Sequence, residues 1–192
     1  MNKLLKLKMD ISKIAKTQLK NIVSGETVPM ESLWADKTAV VIFFRRWGCM
    51  FCRVWAKEIS EISDEITASG AKLIGIGVDN VGAKEFVEGK FFKGDLYISE
   101  EQKIYNDLGF KRFNLVSIFT SLLWKESREA ISKGRALGVG GDMKGDGLQN
   151  GGALVVQKGG KILFEFKQDG PAEQVPNAKF LEILKEQNTT AN

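Results

Sequence analysis

The spacing of apolar side chains changes twice along this chain, and each change predicts an element. Thr38–Phe44 reads Thr-Ala-Val-Val-Ile-Phe-Phe, a near-continuous β-branched and aromatic run, which predicts a strand covered on both faces. After Cys49 the period becomes helical. Trp55, Ile59, Ile62 and Ile66 fall at i, i+4, i+7 and i+11, one apolar stripe, with Lys57, Glu58, Glu61, Asp64 and Glu65 off it. Gly70 ends that helix. Residues 72–78 form a second buried run, ending at Asp79. Strand, helix and strand with short joins make a right-handed βαβ unit with parallel pairing.

The flanks follow the same logic. Residues 18–30 suggest two short strands around Ser24-Gly25, and residues 31–34 a single helical turn. A short helix is expected over 83–88, a strand over 95–98, and a helix over 100–108 stopped by Gly109. The stretch 111–137 is less regular, with helices expected over 117–125 and 125–135. Seven glycines in residues 138–152 suggest a flexible lid or connector, with Asp142 and Asp146 solvated. Residues 153–157 and 161–166 flank Lys158-Gly159-Gly160, a hairpin signal, and residues 178–186 predict a closing helix.

Composition narrows the chemistry. The chain has 192 residues, enough for one sizeable core, with 43% hydrophobic and 27% charged residues. A single domain over 10–188 with a basic tail over 1–9 is expected. No apolar run reaches the ~20 residues of a membrane span. The lysine-rich start lacks an apolar core and a cleavage site, so no secretory signal is expected and the cytosol is the expected location. The tail is expected to be frayed or to touch a membrane surface weakly. The net charge of +4 is local to it: the first twenty residues hold six lysines and one aspartate, and removing them from 28 basic and 24 acidic residues leaves 22 and 23. Nucleic-acid binding therefore gains no support. There is no histidine, which excludes Ser-His and Cys-His catalysis and every His-bearing metal site.

Both cysteines lie two residues apart in Phe43-Phe44-Arg45-Arg46-Trp47-Gly48-Cys49-Met50-Phe51-Cys52-Arg53, where the first long strand meets its helix. At a helix N-terminus, Cys49 meets unpaired N–H groups and the positive dipole end. Arg45, Arg46 and Arg53 add positive charge nearby. In such settings a thiol falls from about 8.5 to roughly 3.5–7.5. Cys52, one turn deeper, is expected to stay a thiol, so Cys49 attacks and Cys52 resolves to a disulfide. With this motif in place, the element order points to a thioredoxin-like α/β fold: a central mixed sheet flanked by helices, a peroxiredoxin-like N-terminal hairpin, and a helical insertion before the last hairpin.

Three stretches carry a closer resemblance: Arg45 to Arg53 as quoted, Leu108-Gly109-Phe110-Lys111-Arg112-Phe113-Asn114, and Gly151-Gly152-Ala153-Leu154-Val155-Val156-Gln157-Lys158-Gly159-Gly160. Together they resemble the prostamide/prostaglandin F synthases, in the peroxiredoxin-like 2 branch of the thioredoxin-like superfamily. Ser24-Gly25-Glu26-Thr27-Val28 and Ser32-Leu33-Trp34 fit as well. The resemblance implies a cytosolic oxidoreductase that reduces the 9,11-endoperoxide of prostaglandin H, or its ethanolamide, to the F-type product. It implies no bound cofactor, with electrons from NADPH through thioredoxin reductase and thioredoxin. The two family cysteines map onto Cys49 and Cys52.

Departures from neighbouring families sharpen this reading. Met50-Phe51 between the cysteines is bulky and apolar, Phe43 and Phe44 replace any strand carboxylate, and Gly151-Gly152 stand where thioredoxins carry a proline. Ile42 and Arg46 occupy the places of the peroxiredoxin Pro and Thr, and Gly152 that of its Arg. Arg46 and Arg53 are candidates to stabilise a developing alkoxide, or are simply surface charge at a helix start. Trp47, Met50, Phe51, Phe113, Leu115, Phe119 and Trp124 are candidates to line an apolar groove, with core packing as the alternative. Gly75-x-Gly77 lacks the third glycine of a dinucleotide fingerprint. Two further functions stay open: a broader thiol reductase for hydroperoxides or protein disulfides, and a non-catalytic redox-sensing module.

Overall fold

The computed structural model describes residues 9–99, 103–114, 120–121, 123–142 and 144–190. The first eight residues of the basic tail, residues 117–119 and 122 of the helix expected over 117–125, and the groove candidates Leu115 and Phe119 lie outside them. The described strands form one seven-stranded sheet: β1 (Gln18–Asn21), β2 (Thr27–Pro29), β3 (Thr38–Phe44), β4 (Ala71–Gly77), β5 (Asp95–Ser99), β6 (Gly152–Val156) and β7 (Ile162–Lys167). Their spatial order is β2-β1-β5-β4-β3-β6-β7. β3 pairs parallel with β4 and antiparallel with β6, and β4 pairs parallel with β5. The described helices are α1 (Met50–Ser60), α2 (Ser63–Ala68), α3 (Ala83–Glu88), α4 (Lys103–Asp107), α5 (Lys125–Ala136) and α6 (Asn177–Thr190), with 3₁₀ turns at Ile11–Lys13 and Met30–Trp34.

β3 contributes side chains to both cores, as do β4 and β6 beside it. All seven of its residues are buried, and their alternation divides them between two layers. Val40, Ile42 and Phe44 meet Trp55, Ile59 and Phe180 on one face. Ala39, Val41 and Phe43 meet Trp34, Tyr105 and Phe110 on the other. This double burial is why the strand reads as an unbroken apolar run. The Tyr105 hydroxyl donates to the carbonyls of Phe44 and Ile76, at 2.8 and 2.9 Å, tying the carboxyl ends of β3 and β4 together beside the cysteines.

The long helix expected up to Gly70 is in fact two. Ile62 leaves helical geometry at φ −102°, ψ 16°, between α1 and α2. The Ser60 hydroxyl donates to the Ala56 carbonyl at 2.6 Å, a back-bond that bends helices, and accepts the Lys93 N–H at 2.9 Å. Ile59, Ile62 and Ile66 nonetheless all stay buried, so the stripe is kept across the break.

Gly77 ends β4 directly under the Trp47 ring, and a Cβ there would lie 2.1 Å from a ring carbon. Gly77→Ala is therefore expected to lower unfolding stability by about 1–3 kcal/mol through overpacking, read from the urea midpoint. An unchanged midpoint would show that Trp47 is free to move.

Candidate active site

Cys49 is the N-cap of α1, with extended backbone (φ −73°, ψ 122°), and its carbonyl accepts the Arg53 N–H at 3.0 Å. Cys52 follows in the first turn. Both are free thiols, exposed by only 4% and 3%. The pair is electrostatically uneven. The Cys52 thiol donates to the Cys49 sulfur, and this contact, with the Arg45 charge, holds Cys49 well below the ordinary thiol range despite its burial. Burial pushes Cys52 well above that range, and its hydrogen bond to Cys49 adds to the shift. The result is an acidic thiol beside a thiol that keeps its proton.

The cation at the sulfur is Arg45, only 4% exposed and one residue beyond β3. Its Nη1 donates to the Cys49 Sγ at 3.2 Å. Its Nε donates to the Gln149 carbonyl at 3.0 Å and its Nη2 to the Gly147 carbonyl at 2.7 Å, while the guanidinium stacks 5.5 Å over the Phe113 ring. Every nitrogen of the fork has a partner, so its aim is set by the glycine-rich segment.

Arg46 and Arg53, the candidates for charge support, point elsewhere. Arg46 donates to the Lys144 carbonyl at 2.8 Å and adds only a minor charge effect at Cys49. Arg53 donates to the carbonyls of Trp47 and Gly140, each at 3.0 Å, and to Asp142 Oδ2 at 3.2 Å. The charge of Arg46 lowers the Cys49 thiol slightly, and the guanidinium that donates to the sulfur is that of Arg45. Parity was the available signal for Arg45: it continues the β3 alternation on the same side as Val41 and Phe43.

Trp47 is also corrected. It is fully buried, 4.8 Å from Phe86 and 5.8 Å from Phe44 between ring centroids, and its Nε1 donates to the Asp79 carbonyl at 2.6 Å. With a glycine beneath it, the ring is core rather than groove wall. Met50 and Phe51 are half-buried. Met50 packs on Gly134 of α5, where a Cβ would stand 2.9 Å from its sulfur, and Phe51 packs against the core. Phe113 reaches the site through Arg45, whereas Trp124 lies over Gly170, 43% exposed. Nor are the two loop aspartates simply solvated: Asp142 pairs with Arg53, and Asp146 pairs with Arg112 at 2.6 Å.

Among the described residues, no group of three or more His, Cys, Asp or Glu could hold a metal, and no helix is long and apolar enough to cross a membrane. A cleft of about 650 Å³ opens between the β1–β2 turn and α3, bordered by Lys20, Asn80, Lys84 and Val87. Neither sulfur lines it.

Residues 58–170 match the model of the AhpC/TSA antioxidant enzyme family. A prostamide/prostaglandin F synthase from Salmo salar is 50% identical over 161 residues, covering 83% of this chain and 80% of that protein. One from Homo sapiens is 40% identical over 177 residues, covering 92% and 89%. Among solved structures, the peroxidoxin BcpB from Mycobacterium tuberculosis matches with a TM-score of 0.59 at 18% identity, over 88% of this chain and 91% of its own. That likeness establishes a thioredoxin-like, peroxiredoxin-type fold. The family-model match begins after both cysteines, so the reading of the thiol pair rests on its geometry.

The unevenness of the pair has a measurable consequence. Because the thiolate is the nucleophile, alkylation of Cys49 rises with pH through its own titration. Its midpoint is expected below the ordinary value of about 8.5, with Cys52 unlabelled in that range. Arg45→Met is expected to move the Cys49 midpoint upward. An unmoved midpoint would separate Arg45 from the acidity of the thiol.

Proposed function

Because this chain belongs to the family of the prostamide/prostaglandin F synthases, we propose that it is a dithiol oxidoreductase reducing the 9,11-endoperoxide of prostaglandin H, or of its ethanolamide, to the F-type product. The observation that carries this reading is the acidic Cys49 held between Arg45 and the protonated Cys52. An endoperoxide has a weak O–O bond and no charge, so it needs a strong nucleophile and a place for the alkoxide it releases.

The steps balance with the groups present. The Cys49 thiolate attacks one oxygen, the O–O bond breaks, and its electron pair leaves on the second oxygen as an alkoxide. The Cys52 proton neutralises that alkoxide, and the Arg45 charge beside the sulfur favours its formation. The substrate is now held to Cys49 through an S–O bond. The Cys52 thiolate attacks the Cys49 sulfur, the S–O bond breaks, and the first oxygen departs with the bonding pair and takes a proton from solvent. Two electrons have passed from the thiols to the substrate, leaving a Cys49–Cys52 disulfide. No histidine or carboxylate is required.

The chain has no third cysteine, so an external dithiol must regenerate the pair. Thioredoxin, reduced by NADPH through thioredoxin reductase, is the proposed donor, in the cytosol, where such thiols persist reduced. A broader hydroperoxide reductase is the second reading, favoured by the match to the AhpC/TSA antioxidant family.

Wild type, Cys49→Ser and Cys52→Ser are to be compared on prostaglandin H with reduced thioredoxin. Wild type is expected to form prostaglandin F catalytically, and each variant is expected to lose turnover. Formation at the uncatalysed rate by wild type would sink the proposal. Turnover of alkyl hydroperoxides alone would select the second reading. Reversible oxidation without turnover of either substrate would leave a redox sensor.

A further inference from the structure

Both sulfurs are almost inaccessible, yet a prostanoid is a large molecule. The glycine-rich segment lies against the residues flanking Cys49, and it is held by arginines from the active-site stretch itself. Arg53 holds the Gly140 carbonyl and the Asp142 carboxylate, Arg46 the Lys144 carbonyl, and Arg45 the carbonyls of Gly147 and Gln149. Asp142 is the side chain among these acceptors; the others are backbone oxygens.

We propose that Asp142 determines specificity: its ion pair with Arg53 clasps residues 140–142 over the N-terminus of α1 and sets how large a molecule reaches Cys49. The fit beneath Asp142 is close. Its N–H donates to the Gly48 carbonyl at 2.8 Å, and a Cβ on Gly48 would lie 2.1 Å from its Oδ1. Beside it, Gly141 passes so near α1 that a Cβ would stand 2.8 Å from the Met50 nitrogen. The segment therefore crosses the backbone directly flanking Cys49.

The clasp is made to open. Side-chain exposures of 11% for Arg53 and 33% for Asp142 leave the carboxylate end of the pair in reach of solvent. Gly138, at φ +62° with open space around it, and Gly145, at φ +81°, offer turning points on either side. Opening at Asp142 leaves the Arg45 contacts at Gly147 and Gln149 in place, so access changes while the charge at the sulfur does not. Size selection and thiol acidity are thus assigned to different arginines.

This inference rests on Cys49 being the reacting thiol but not on the identity of the peroxide, so its test uses alkylation. Wild type and Asp142→Ala are treated with iodoacetamide and with a polyethylene-glycol maleimide, and the Cys49 adduct is quantified by peptide mass. Loss of one charge-assisted contact is expected to raise the maleimide rate about tenfold relative to the iodoacetamide rate, with the pH midpoint of iodoacetamide labelling unchanged. Gly48→Ala, which displaces Asp142 sterically, is expected to change the ratio in the same direction. An unchanged ratio in Asp142→Ala overturns the proposal. So does a displaced midpoint large enough to explain the faster labelling, since Asp142 would then act on acidity. Either result stands whether or not prostaglandin H proves to be a substrate.

Discussion

The contact on which the rest of this structure depends is the one between the Arg45 guanidinium and the Cys49 sulfur, at 3.2 Å and buried. A cation removed from water is costly unless it is paired and hydrogen-bonded. Among the described residues, the hydrogen-bond partners of Arg45 are two carbonyls and the sulfur, with no carboxylate among them. The thiolate is therefore the counter-charge that makes a buried arginine tolerable, just as the arginine makes the thiolate accessible at moderate pH. Neither is well placed without the other.

That mutual requirement reaches outward. β3, buried on both faces, delivers Arg45 and Cys49 to the carboxyl end of the sheet. Gly77 leaves room for Trp47 in the core, which anchors the turn between strand and helix. The glycine-rich segment that follows α5 fixes the guanidinium. A chain without histidine thus makes a reactive nucleophile from one cation, one helix terminus and a second thiol kept protonated by its burial. Such a site suits an uncharged O–O bond, which asks for nucleophilic sulfur and alkoxide stabilisation rather than for a general base.

Much of the architecture was legible in the sequence. The double-sided burial of β3 wrote itself as an unbroken apolar run, and the stripe from Trp55 to Ile66 marked the helical face that packs on one side of β3 and β4. The break after Ser60 was not legible, because it arises from a side-chain back-bond and a contact with Lys93, thirty-three residues away. The thiol pair was plain from spacing and context, but the choice among three arginines was not. Their partners are mostly backbone carbonyls of residues 140–149, and carbonyl acceptors leave no trace in residue identity. For the same reason a run of glycines read as a flexible lid or connector did not show that three arginines hold it. Trp47 misled because tryptophan next to a reactive cysteine suits either a groove or a core, and only the glycine under its ring decides.

The most direct test of the central claim, an attacking Cys49 and a resolving Cys52, is a single-turnover trap. Cys52→Ser protein is mixed with a stoichiometric amount of prostaglandin H and quenched, and the intact and peptide masses are recorded. The claim requires an adduct of substrate mass on Cys49 that a subsequently added dithiol releases as prostaglandin F. Complete reduction by Cys52→Ser with no adduct, or an adduct on Cys52 in Cys49→Ser, would contradict it.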